Sequence, residues 1–124
     1  MDWNDDKPKR IQRKRTKGWR MPEGAVSCTR PGKYGNPFVI GGYFRMGDGR
    51  PGFSYLQCLS KELAGPGYTL IETAAQAVEW FREYRKRYPF HPDDLAALRG
   101  KDLACFCALD QPCHVDVLLE VANV

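Results

Sequence analysis

The sequence predicts a small single domain of the α/β or α+β class. It expects a short mixed sheet, about three helices and a Cys/His turn before the C-terminal helix. Three observations predict this. Short apolar runs alternate with segments of helical periodicity. The chain has 124 residues, the length of one domain. Hydrophobic residues make up 43% and charged residues 27%, which fills one core and is too apolar for a disordered chain.

Residues 1–9 read as a disordered start, with the domain over 10–124. Ile11 to Arg15 reads as a short exposed strand, and Met21-Pro22-Glu23-Gly24 as a turn. Ala25-Val26-Ser27-Cys28 reads as a short buried strand, and Phe38-Val39-Ile40 as an extended segment. The turn signal Gly47-Asp48-Gly49 joins Tyr43–Arg45 and Phe53–Leu56 into a hairpin, and Tyr68–Ile71 is a further strand.

The clearest element is a helix from about Thr73 to Tyr88. Thr73 with Gln76 fits a capping box, and Ala74, Ala77, Val78, Phe81, Tyr84 and Tyr88 make one apolar stripe. Pro89 stops it, Pro92-Asp93-Asp94 opens a second helix, and Gly100 closes that one. Lys101 to Cys107 reads as a strand, and His114 to about Ala122 as a terminal helix, apolar nearly all round and so expected to be buried.

No apolar run approaches the ~18 residues of a membrane helix. The acidic start Met1-Asp2-Trp3-Asn4-Asp5-Asp6 has no apolar signal core. The expectation is a cytoplasmic protein without a membrane partner. The net charge of +4 is unevenly placed: residues 7–20 hold eight cations and no acid, while residues 21–124 hold 11 cations and 12 acids. Arg13, Arg15 and Lys17, with Trp19 as a stacking surface beside them, are therefore candidate contacts to nucleic acid.

Five cysteines without a signal peptide argue against a disulfide framework. Three of them stand within nine residues in Cys105-x-Cys107-x5-Cys113-His114. Strand alternation puts Cys105 and Cys107 on one face about 7 Å apart, and the following loop can return Cys113 and His114 to the same spot. Three thiolates and an imidazole suit a tetrahedral zinc site. Two alternatives stay open. Cys113 at a helix start, with His114 as base, could be a catalytic nucleophile. Or the cysteines are small core residues and His114 a capping group.

Arg30, Lys33 and Asn36 sit on a Gly/Pro-rich loop after a strand, a place that carries binding residues in α/β folds. Arg30 can clamp a phosphate, and Asn36 can bond a base edge or a sugar hydroxyl. With Trp19 and Arg20 walling the crevice, Arg30, Asn36 and the Cys113–His114 turn are expected to face one pocket that takes phosphate, sulfate or a nucleotide. The competing reading of Gly35-Asn36-Pro37 is an ordinary turn.

Four stretches carry a resemblance. They are Arg10-Ile11-Gln12-Arg13-Lys14-Arg15-Thr16-Lys17-Gly18-Trp19-Arg20-Met21-Pro22; Arg30-Pro31-Gly32-Lys33-Tyr34-Gly35-Asn36-Pro37-Phe38; Leu98 through Cys107; and Pro112-Cys113-His114-Val115-Asp116-Val117-Leu118-Leu119. From about residue 10 to the C-terminus the chain resembles a family of small proteins with a domain of unknown function, common in bacteriophages and actinobacteria. Cys28-Thr29 and Tyr34 depart from that family's usual aliphatic–Gly and Trp. The resemblance implies no activity.

The expected function is therefore a zinc-stabilised phage-type or bacterial protein that binds nucleic acid or a nucleotide phosphate. The alternatives are an enzyme of the hydrolase or glycosidase class acting on a nucleotide or nucleoside, and a phage-type protein that binds a host factor.

Overall fold

Parallel and antiparallel pairing are divided between two small sheets. The structure is a computed structural model that describes residues 8–30, 32–47, 54–58 and 60–123. Its elements are β1 (Arg10–Gln12), β2 (Val26–Ser27), β3 (Tyr43–Met46), β4 (Tyr55–Cys58), β5 (Thr69–Leu70), α1 (Ala74–Arg87), α2 (Pro92–Ala96), β6 (Leu103–Cys105) and α3 (His114–Ala122). Three helices and two three-stranded sheets make an α+β fold. The chain divides into two compact units: Met1–Gly35 with Phe90–Val124, and Asn36–Pro89.

The first unit holds a parallel sheet of order β1-β6-β2. β6 is central, and its Leu103, Ala104 and Cys105 are all buried, as both-sided burial of a parallel strand requires. Arg10 and Val26 both pair with Leu103, so the three strands start level, and β2 ends one residue short of the other two. The pairing extends past the strand ends. The Arg13 N–H donates to the Cys105 carbonyl at 2.7 Å, and the Cys28 N–H to the Ala104 carbonyl at 2.8 Å. Arg13, Cys28–Arg30 and Phe106–Cys107 therefore leave one sheet edge, the carboxyl edge.

Two expectations change here. The first strand is half-buried and ends at Gln12, because it pairs with β6 and does not stand exposed. The last strand stops at Cys105, so Cys107 lies in the bend beyond it. Lys9, read with the start of the chain, is held: its N–H donates to Asp102 Oδ1 and its carbonyl accepts from the Leu103 N–H. Residues 1–7 lie outside the described residues.

α3 covers this sheet with His114, Val115, Val117, Leu118 and Ala122, while Asp116, Glu120 and Val121 are exposed. One backbone contact explains the glycine of the Tyr34-Gly35-Asn36 run. A Cβ on Gly35 would meet the Arg30 backbone at 2.9 Å, so only glycine lets the loop close back on its own start after β2.

The second unit is an antiparallel sheet of order β4-β3-β5 with α1. β3 and β4 are the expected hairpin; Asp48, Gly49 and Phe53 lie outside the described residues. Thr73 caps α1 as its sequence predicts. Its Oγ1 accepts from the Gln76 N–H at 3.1 Å, and Gln76 Oε1 accepts from the Thr73 N–H at 3.1 Å. Ala77 and Phe81 of the apolar stripe are buried. The core is aromatic: Phe38 meets Phe44, Tyr55, Trp80 and Tyr84 with ring centroids 5.0–5.6 Å apart.

Phe38–Ile40 does not form a strand. Asn36 accounts for this at its start. Asn36 is buried, its Oδ1 accepts from the Phe38 N–H at 2.9 Å, and its Nδ2 donates to the Ala77 carbonyl at 3.0 Å. The side chain thus ties the loop to α1 and takes the donor a strand would have used. Asn36→Ala leaves the buried Phe38 N–H unpaired and takes one of its two donors from the Ala77 carbonyl, which keeps its bond within α1. It should lower stability by about 1–3 kcal/mol, read as a lower urea midpoint at unchanged slope.

Candidate metal centre and its cationic edge

The Cys/His turn begins where β6 ends. Past Cys105 the chain bends, and this brings Cys105 Sγ and Cys107 Sγ to 3.7 Å, far closer than alternate residues on a strand. The loop then returns to α3, whose cap residue Cys113 has extended backbone (φ −146°, ψ 144°). That extended step turns Cys113 and His114 inward together, although they are neighbours in sequence. Cys113 Sγ lies 3.7 Å from His114 Nδ1. The ligating atoms of Cys105, Cys113 and His114 lie within 4.8 Å of one another, and all three residues are buried. Cys107 is half-buried and contacts the thiols of both Cys105 and Cys113.

These distances discriminate between chemistries. A disulfide needs sulfurs about 2.05 Å apart. Two thiolates bound at ~2.3 Å to one tetrahedral zinc stand roughly 3.8 Å apart, and a thiolate and an imidazole nitrogen roughly 3.6 Å. The observed 3.7 Å separations match the edges of such a tetrahedron. Cys105, Cys107, Cys113 and His114 are thus compatible with a metal site.

The surroundings complete it. His114 Nε2 is 2.7 Å from the Cys28 carbonyl. A carbonyl only accepts, so Nε2 carries the proton of the neutral ring and the Nδ1 lone pair faces Cys113. Burial holds the imidazole below its usual range, with the Arg30 charge adding to this, and so favours the neutral ring a metal needs. Cys105 is the sulfur that ionises first, held below the usual thiol range by hydrogen bonds from Cys107 and Cys113. Cys113 is pushed up by those two neighbours and by burial. Cys113 is buried, and as a metal ligand it would give up its proton on binding the ion. Cys28 is fully buried and pushed up to about 12, chiefly by burial; it contributes its carbonyl and not its sulfur.

Arg10, from the basic segment, is a clamp on this turn. Its guanidinium donates to the carbonyls of Leu109 (2.6 Å) and Ala108 (3.3 Å) and pairs with Asp116 at 3.4 Å. Arg13 and Arg15 behave differently. Both guanidiniums lie over the ring of Phe106, at 4.7 and 4.3 Å from its centroid; Phe106 is the residue between Cys105 and Cys107. Arg13 Nη1 also donates to Ser27 Oγ at 3.0 Å and Thr29 Oγ1 at 3.2 Å. Lys14, Arg15, Lys17, Arg20 and Arg30 are exposed and have no carboxylate partner among the described residues. Lys7 lies outside those residues. Trp19 is half-buried after a turn in which its N–H donates to Thr16 O, with Gly18 at φ +86° in the position that favours glycine.

Of the residues expected to take phosphate, Arg30 stands at the same carboxyl edge and is felt by His114. Lys33 is paired with Asp94 at 3.1 Å, and the Tyr34 hydroxyl donates to the Asp94 carbonyl at 2.8 Å, so this part of the loop is fastened to α2. Asn36 belongs to the second unit, where its amide makes the two internal bonds already described. Sequence reading missed Phe106, Ser27 and Thr29. Phe106 had a signal, being the residue between Cys105 and Cys107 of the Cys/His motif; the hydroxyls had none, since parallel pairing of β1 and β2 with β6 brings them to Arg13. No helix among the described residues is long and apolar enough to cross a membrane.

A family model described as a domain of unknown function (DUF4326) matches residues 11–124. No curated protein and no solved structure matches the chain.

Proposed function

We propose that this chain, which belongs to the DUF4326 family, is a zinc-stabilised module that binds nucleic acid through the carboxyl edge of its parallel sheet. The observation that carries this reading is the pair of guanidiniums, Arg13 and Arg15, stacked on Phe106 with no acid beside them among the described residues. Two like charges held against one ring repel each other, and a polyanion relieves that repulsion. Lys14, Lys17, Arg20 and Arg30 extend the charge along the same unit. Zinc, held by Cys105, Cys107, Cys113 and His114, suits the thiolate-rich ligand set and would act as structure rather than as catalyst, because four protein ligands close a tetrahedral site.

The test is the salt dependence of retention of a labelled single-stranded oligonucleotide. Log affinity should fall linearly with log salt. Arg13→Ala/Arg15→Ala/Lys17→Ala should flatten the slope by about two, at ~0.7 per neutralised phosphate. Retention that is weak, salt-independent and equal in variant and wild type overturns the reading.

A further inference from the structure

The donors at the carboxyl edge outnumber the acceptors around one side chain. Arg13 Nη1 donates to both Ser27 Oγ and Thr29 Oγ1, and these two oxygens are 3.1 Å apart, so one hydroxyl donates to the other. An arginine carries five N–H groups and each hydroxyl one O–H. After these bonds are made, one hydroxyl hydrogen and both Nη2 hydrogens have no acceptor among the described residues. Arg13 Nε is buried and also unpartnered. Arg15 adds a second positive charge over the same Phe106 ring, 4.3 Å from its centroid. No carboxylate pairs with either arginine among the described residues.

We infer that Arg13, Ser27 and Thr29 form the seat of a single phosphoryl group, with Arg15 as its second cation. The inference deepens the nucleic-acid reading and rests on it for the source of the phosphate. The seat supplies what an oxyanion lacks, namely donors and charge, and lacks what an oxyanion supplies, namely acceptors. Its place agrees with this, because open parallel sheets take ligands at the carboxyl ends of their strands. Ser27 and Arg15 are exposed and Arg13 and Thr29 partly so, which leaves the seat open to a ligand. The planar guanidinium is fixed from two sides, by the ring below and the hydroxyls beside it. A phosphate therefore meets an ordered fork instead of a mobile chain.

The test uses the full zinc-loaded chain and three probes: inorganic phosphate, a nucleoside 5′-monophosphate, and an oligonucleotide without terminal phosphates. Ser27→Ala/Thr29→Val removes both hydroxyls at little change of volume. Zinc content and the melting curve check that the fold is kept. The double variant should bind about tenfold more weakly to whichever probe fills the seat. Thr29→Ser, which keeps the hydroxyl, should bind as wild type does; it also carries the test if the double variant does not fold, since Thr29→Val alone can then be set against it. Loss confined to the oligonucleotide assigns the seat to a phosphodiester. Loss for the monophosphate or inorganic phosphate assigns it to a terminal or free phosphate. Unchanged affinity for all three probes overturns the seat. If the oligonucleotide still binds with a steep salt slope in that case, the nucleic-acid reading survives without the seat. If the small probes lose affinity while the oligonucleotide never binds, the seat survives without that reading.

Discussion

Purified protein is expected to carry near-stoichiometric zinc, and stripping it with a chelator is expected to unfold the first unit. Three thiols and an imidazole converge where β6 ends and α3 begins, and all but Cys107 are buried. Without a metal, three sulfurs in contact can share few protons favourably: Cys105 is drawn toward thiolate while Cys107 and Cys113 are held protonated. A divalent ion replaces that conflict with four bonds. Structural zinc in small domains contributes about 10–16 kcal/mol of apparent binding free energy near neutral pH. A domain of this size is stable by only about 5–15 kcal/mol. Loss of such an ion is therefore expected to be comparable to the whole stability of a unit whose strands are two or three residues long. Elemental analysis and a thermal melt monitored by circular dichroism check this. Cys105→Ser should lose the metal and the cooperative melt of the first unit, whereas Cys58→Ser, in β4 of the other unit, should keep both. Metal-free protein with an unchanged melting curve is the contrary result.

How much of this was legible depends on the range of the interactions. α1 was readable because fourteen residues repeat one apolar stripe and its cap lies three residues from its partner. The Cys/His cluster was readable from residue type and spacing, as a set compatible with a metal site. The distance between its first two sulfurs was not, because the sequence cannot say that the strand ends at Cys105 and bends before Cys107. The sheets were legible as short strands and not as two pairing patterns. β1 has three residues and finds β6 only after the whole intervening chain, at Arg10 with Leu103. That one long-range pairing separates arginines that composition treats alike: Arg10 turns to the Ala108–Leu109 carbonyls, whereas Arg13 and Arg15 turn to Phe106. The partners of Asn36 were hidden for a related reason. An amide suited to a base edge is equally suited to an Ala77 carbonyl forty-one residues on, and the second partner is the one observed within its own unit.

In the proposed reading the same geometry would couple metal to nucleic acid, and Phe106→Leu should expose the coupling. Phe106 stands between Cys105 and Cys107, so an ion that fixed those sulfurs would also fix the ring, against which two guanidiniums lie. Ordering a long side chain on binding costs about 0.5–1.5 kcal/mol. Arg13 and Arg15 carry little of that cost when they are already stacked. Leucine keeps an apolar side chain and removes the ring face, so Arg15 regains its freedom and Arg13 is left with its hydroxyl partners alone, while every charge remains. Oligonucleotide affinity should fall roughly tenfold, in line with about 1–3 kcal/mol for two side chains. The salt slope should stay that of wild type, because the number of phosphates neutralised is unchanged. Arg13→Ala/Arg15→Ala should instead lower both affinity and slope. Titrating a chelator into the wild-type complex should release the oligonucleotide in step with the zinc. Wild-type affinity in a folded, zinc-loaded Phe106→Leu protein would separate the ring from binding and leave the cations to act as a mobile arm.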